Sequence, residues 1–133
     1  MNLTYQENTQ VSSKQIAALR RSVGWNGMES FYNNPLMNSY YHIACYDGDR
    51  LVGYVDTVSN GVTDAYLQDL TVDPAYQGRG IGTALMNRII AKLKENKIFM
   101  ISVIYGNTEL APFYERFGFF QMLCGQLQTY ELE

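Results

Sequence analysis

Apolar positions along the 133-residue chain change their period several times, and each change marks an element. Residues 3–6 alternate in the manner of a short strand. Ile16, Leu19 and Val23 then recur at helical spacing, and Gly24 supplies a stop. Ser12 and Gln15 stand in front of that helix with the spacing of a capping box, in which the serine hydroxyl accepts from the Gln15 amide and the Gln15 side chain reaches back. Residues 25–39 have no clean period and contain Asn33-Asn34-Pro35, which predicts a short helix and a loop. Strand patterns follow over 40–46 and 50–58, joined by Asp47-Gly48-Asp49, a turn that tolerates positive φ at little cost. A second turn at Ser59-Asn60-Gly61 leads into residues 63–72, closed by Asp73-Pro74, so three sequential strands form an antiparallel meander.

The second half alternates differently. Ile81, Leu85, Ile89 and Leu93 recur at helical spacing with Met86 and Ile90 beside them, and Lys92, Lys94 and Lys97 place cations near the C-terminal end. Residues 98–104 are a continuous apolar run, which predicts a strand covered on both faces and parallel to the strand before the helix. A further helix is expected over 111–117, with Pro112 in its first turn and Gly118 as its stop, then two strands at 119–123 and 127–131. The expected fold is α/β (an α+β mixed sheet), mostly antiparallel, with helices on both faces, in one domain over residues 1–133.

Composition narrows the function classes. With 47% hydrophobic and 17% charged residues the chain is too apolar for disorder, and a net charge of -3 argues against nucleic acid as a partner. The two cysteines, Cys45 and Cys124, lack CxxC spacing, and a single histidine, His42, leaves a zinc site short of ligands, so no metal is expected. No run approaches the roughly 20 apolar residues of a membrane span. The expectation is a soluble cytoplasmic protein with free thiols and no membrane partner.

The chemistry concentrates in Gln77-Gly78-Arg79-Gly80-Ile81-Gly82, between a strand and the long helix. Glycines at alternate positions let the backbone bend tightly and turn amides toward one point, a cradle for phosphate. A nucleotide-hydrolase loop needs Gly-Lys followed by Ser or Thr, and no lysine follows these glycines. A dinucleotide fingerprint from Gly78 would put its third glycine at Thr83, and from Gly80 at Leu85. What remains is Gln-x-x-Gly-x-Gly from Gln77 through Gly80 to Gly82.

In that loop, and in an ordered set of segments around it, the chain resembles the GNAT superfamily of N-acetyltransferases. Leu70-Thr71-Val72-Asp73-Pro74 precedes the loop and Gly82-Thr83-Ala84-Leu85-Met86 follows it. Asn107 follows the next strand, and Phe113-Tyr114-Glu115-Arg116-Phe117-Gly118-Phe119 stands near the end. The resemblance implies acetyl-CoA as co-substrate, with its pyrophosphate on the amides of Gly78, Arg79, Gly80, Ile81, Gly82 and Thr83. It further implies that the pantetheine arm lies along the backbone of Leu70, Thr71 and Val72, and that Asn107 contacts the arm from the other side. It also implies transfer of acetyl to a primary amine through a tetrahedral intermediate, with a backbone amide near a β-bulge at Leu70 holding the oxyanion and Tyr114 protonating the departing sulfur.

The proton acceptor for the amine stays open. Tyr66 stands where several relatives carry a glutamate, Asp69 on the same strand is a second candidate acting through water, and His42 a third. Leu19-Arg20-Arg21-Ser22-Val23-Gly24-Trp25 is similar to a segment of short GNAT proteins that includes plant plastid members acetylating arylamines or protein lysines. Trp25, Met28, Phe31 and Tyr32 are candidates for lining the acceptor pocket, and Asp56, Asp64 or Asp69 for attracting a cationic amine. A homodimer through the later strands and a non-catalytic acyl-CoA-binding sensor are the remaining alternatives.

Overall fold

The structure is a computed structural model describing residues 1–132. By its internal contacts the chain divides into two compact units, one of Met1–Val103 and one from Ile104 onward.

The first unit is a five-stranded sheet in sequential order, β1 (Leu3–Glu7), β2 (Tyr41–Asp47), β3 (Arg50–Ser59), β4 (Asp64–Val72) and β5 (Met100–Val103). The first four strands are antiparallel and β5 runs parallel to β4. The expected meander is present: Gly48, with φ of 60°, turns β2 into β3 so that Asp47 faces Arg50. Two helices lie in this unit, α1 (Ser13–Ser22) and α2 (Ile81–Glu95).

The faces follow from strand alternation. Tyr54 packs in one buried cluster with Ile16 and Leu19 of α1. Its neighbour Gly53 points the other way, where a Cβ would lie 2.8 Å from Ile81 Cγ2 and 3.2 Å from Leu85 Cδ1 of α2. Ile81, Leu85, Met86, Ile89 and Leu93 are buried, which is the apolar stripe read from the sequence. Because Ile81 Cγ2 is a short branch next to the backbone and both Ile81 and Leu85 are fully buried, Gly53→Ala is expected to cost about 1–3 kcal/mol by overpacking. A urea titration showing an unchanged midpoint would remove that close approach.

Several expectations need correction. Only half of the capping box forms: Ser12 Oγ accepts from the Gln15 amide at 3.2 Å, while Gln15 Nε2 donates to the Asp49 carbonyl at 3.1 Å. The longer-range acceptor on the β2–β3 turn draws the glutamine away from its own helix. The run over 98–104 yields only Met100–Val103, and Phe99 and Met100 are exposed, so this strand is not covered on both faces. An apolar run reports composition and not the cover that packing provides.

In the second unit, α3 (Ala111–Glu115) is shorter than expected but stops before Gly118, whose φ is 96°. Residues 119–123 and 127–131 are not strands, and Phe120, Met122, Leu123, Leu127 and Tyr130 are exposed. Alternation alone does not make a strand, which needs a ladder partner to satisfy its amides.

Candidate active site

The glycine loop is reached through β4. Asp73 accepts from the Ala75 amide at 2.9 Å and so caps a 3-10 turn at Pro74–Tyr76 that reverses the chain. Gln77 Nε2 donates back to the Val72 carbonyl at 3.0 Å, tying the loop to the end of the strand. Gly78 and Gly80 have φ of 78° and 81°, in the left-handed region that favours glycine, and Gly80 is the N-cap of α2. Gly82 lies inside the first turn. A Cβ built on Gly78 or Gly80 meets no protein atom within 4 Å, so the outer side of the loop is open. First-turn amides of a helix have no carbonyl partner inside it, and they carry roughly half a positive charge, so the loop can hold an anion by backbone alone. Arg79 is exposed; its guanidinium lies 5.8 Å from the Tyr76 ring centroid and donates to Met1 Sδ.

β4 itself changes register beside the loop. Its pairing with β3 shifts between Tyr54, which faces Thr71, and Asp56, which faces Gln68. Two residues, Asp69 and Leu70, therefore oppose the single Val55, which makes a β-bulge. The parallel pairing with β5 covers only Asp64 to Leu67, so the bulged end of β4 runs on past its β5 partners. Leu70, Thr71 and Val72 thus stand together at that end.

The α1 face of the sheet carries the acid-base groups. β-strand alternation sets Tyr66 and Gln68 on the face of Asp56, and the bulge brings Asp69 to the same side. Asp69 Oδ1 accepts from Arg20 Nη1 at 2.5 Å, and Tyr32 donates its hydroxyl to Oδ2. Arg20 is in turn held by the Asn26 carbonyl, to which its Nε donates at 2.7 Å, and it covers the Trp25 ring at 5.2 Å. Burial pushes the Asp69 carboxyl up, and the adjacent guanidinium pulls it back part of the way. Two candidates for the acceptor pocket, Trp25 and Tyr32, are therefore joined to a candidate proton acceptor in one network. Met28, at φ of 53°, packs half-buried against the α1 core.

Further along the same face, Asp56 and His42 are cross-strand neighbours, and both are buried. Asp56 accepts from the amides of Thr57 and Asn38, and burial pushes its carboxyl up to about 6. His42 lies 6.0 Å from Tyr54 between ring centroids, its Nε2 meets the Thr9 carbonyl at 2.5 Å and burial lowers its pKa. Arg20 is a site residue to which the sequence alone assigns no contact. Its signal was positional, since 16, 19, 20 and 23 share one helical face, and a cation on an apolar stripe needs a buried partner.

In the second unit Tyr114 is buried, stacked on Tyr105 at 4.8 Å and edge-on to Phe113 and Phe119. Burial, with Tyr105 beside it, raises its pKa, so the phenol stays protonated at neutral pH. Asn107 caps a 3-10 turn at Thr108–Leu110 by accepting from the Glu109 amide at 2.8 Å. Among the described residues no group of three or more His, Cys, Asp or Glu gathers as a metal site, and no helix is long and apolar enough to cross a membrane.

Comparison with known proteins gives a consistent picture. The sequence model described as "Acetyltransferase (GNAT) family" matches residues 12–119. A protein of Glycine max named probable acetyltransferase TAP2 is 30% identical over 107 residues, covering 80% of this chain and 40% of that protein. The histone acetyltransferase TAP1 of the same plant is 34% identical over 70 residues, covering 53% of this chain and 30% of its own length. The chain thus spans well under half the length of these relatives. A crystal structure of a probable acetyltransferase from methicillin-resistant Staphylococcus aureus superposes with a TM-score of 0.81 at 21% identity, covering 96% of this chain and 99% of that one. That likeness concerns the fold.

Proposed function

The chain belongs to the acetyltransferase (GNAT) family, and from that membership we propose that it transfers acetyl from acetyl-CoA to a primary amine, either a small amine such as an arylamine or a peptide amine. The observation that carries this reading is the pairing of an open, left-handed glycine loop at the N-terminus of α2 with a bulged strand end just before it. Amides from Gly78 to Gly82, with Gln77 fixing the loop, receive the pyrophosphate. Leu70, Thr71 and Val72 take the pantetheine arm by backbone hydrogen bonds, with Asn107 a second contact.

In the reaction the amine nitrogen attacks the thioester carbon and the carbonyl oxygen becomes an oxyanion, stabilised by an amide at the Leu70 bulge. One such donor contributes about 3 kcal/mol in a transition state. The carbon–sulfur bond then breaks and Tyr114 gives its proton to the thiolate. A thiol pKa near 8.5 makes the leaving group a fair one, so this proton is a modest contribution. The proton of the attacking amine leaves toward the α1 face, where Tyr66 stands.

Thermal melting with acetyl-CoA, NAD and ATP in parallel tests the co-substrate. At about 100 times its dissociation constant a ligand adds roughly 2.7 kcal/mol, a rise of several degrees for a domain of this size. The rise is expected with acetyl-CoA alone, and no rise, or a larger one with NAD, removes the assignment. Thiol release with a panel of arylamines, polyamines and peptides then separates enzyme from sensor: a chain that binds acetyl-CoA but speeds thiol release with no acceptor is the sensor.

A further inference from the structure

Asp69 combines three features that a freely titrating base does not need. Its φ is 59°, a left-handed conformation in a residue with a side chain, at the first bulged position of β4. Such a conformation costs about 1–3 kcal/mol and persists only where surrounding contacts over-determine it. Here the contacts are visible. Arg20 of α1 donates to one carboxylate oxygen at 2.5 Å, the Tyr32 hydroxyl donates to the other, and Thr71 Oγ1 donates to the Asp69 carbonyl at 2.8 Å. Arg20 and Asp69 are both largely shielded, with side-chain exposures of 10% and 18%, so the pair is not a screened surface contact.

From this geometry we propose that Asp69 is a positioning residue, a clamp that fixes the bulge and ties it to the 25–32 segment through Arg20 and Tyr32. The inference rests on the acetyl-transfer reading for its consequence, because the amide oriented by the clamp is that of Leu70. Each carboxylate oxygen accepts from a fixed donor, one from α1 and one from the 25–32 segment, which is what a clamp requires and a free base does not. The clamp also links two halves of the reaction. Trp25 and Asn26 hold Arg20, and Arg20 holds the bulge, so whatever seats an acceptor against residues 25–32 also sets the oxyanion donor. The group that accepts the amine proton then lies elsewhere on that face.

The experiment compares Asp69→Asn, Asp69→Ala, Asp69→Gly and Arg20→Ala in the whole chain, by turnover against pH and by amide resonances of the nitrogen-15-labelled protein. Asparagine keeps an acceptor for Tyr32 but turns an amide NH2 toward the Arg20 guanidinium, so it is expected to lose less in kcat than alanine and to keep the wild-type pH profile. Alanine and glycine remove the clamp and are expected to lose roughly 100-fold, the scale of a misplaced oxyanion donor, with KM for acetyl-CoA little changed. Glycine accepts φ of 59° without strain, so it separates loss of the clamp from loss of the fold. Arg20→Ala combined with Asp69→Ala should be no worse than Asp69→Ala alone.

The resonances of Leu70 and Thr71 should move in Arg20→Ala, which leaves their sequence neighbours unchanged, a readout independent of turnover. Unmoved resonances overturn the clamp. A pH profile that loses its acidic limb in Asp69→Asn, with asparagine as poor as alanine, makes Asp69 the base and also overturns it. Failure of the acetyl-transfer reading shows separately, as wild-type protein that neither binds acetyl-CoA nor releases thiol.

Discussion

Replacing Gly80 by alanine is expected to weaken acetyl-CoA binding at least tenfold while costing the unliganded fold only about 1–2 kcal/mol. The cost to the fold is the ordinary penalty of a Cβ in the left-handed region, since φ is 81° and no protein atom lies within 4 Å of the added carbon. The cost to binding has a different origin. The methyl group projects to the open side of the loop, where a phosphate must approach the backbone within hydrogen-bond distance, and losing one such contact removes about 1.4 kcal/mol or more. Gly48→Ala is the matched control. It has φ of 60° and the same empty surroundings, but it turns β2 into β3 and faces no proposed ligand. Calorimetric titration with acetyl-CoA and urea unfolding on both variants decide the matter. Equal loss of affinity in the two, or none in Gly80→Ala, takes the pyrophosphate off this loop.

What the sequence revealed depended on how local the cause was. Gly48, the Ser12 hydroxyl, and the stripe of Ile81, Leu85, Ile89 and Leu93 act within a few residues, and each appears where the pattern put it. The glycine loop was legible for the same reason, because its conformation is set by its own missing side chains. Asp69 was legible as a carboxylate but not in its role. That role comes from Arg20, 49 positions away, and Tyr32, 37 positions away, and from a register shift that no one-strand pattern encodes. The C-terminal segment failed in the opposite direction. Residues 119–123 and 127–131 are expected as strands, yet nothing in a single sequence says whether a neighbour supplies the ladder. Gln15 shows a smaller version, a locally expected bond lost to a carbonyl 34 positions on.

Asp56→Asn is expected to stabilise the protein, and to do so more as pH rises. Asp56 is 3% exposed, its carboxyl is pushed from 3.8 up to about 6 by burial, and none of the ion pairs among the described residues includes it. The charged and titratable groups around it give little help. His42, opposite on β2, has its own pKa lowered by burial and carries no charge at neutral pH, and Tyr54, two residues back on β3, stays protonated because burial raises its pKa. The sign follows from linkage. The folded state binds the Asp56 proton more tightly than the unfolded chain, so stability falls as pH rises from about 4 through about 6, and the full penalty is present above that. Moving the carboxyl from 3.8 to about 6 corresponds to roughly 3 kcal/mol at neutral pH. Asparagine carries no charge, and its amide oxygen can still accept from the Thr57 and Asn38 backbone. The stability gain of the variant should therefore grow by about 2 kcal/mol between pH 4.5 and 7.5, several degrees in melting temperature. Thermal or urea unfolding at the two pH values measures it. A gain that is the same at both, or a variant less stable at pH 7.5, would mean that Asp56 is ionised in the fold at no cost and that an unrecognised cation or water path reaches it.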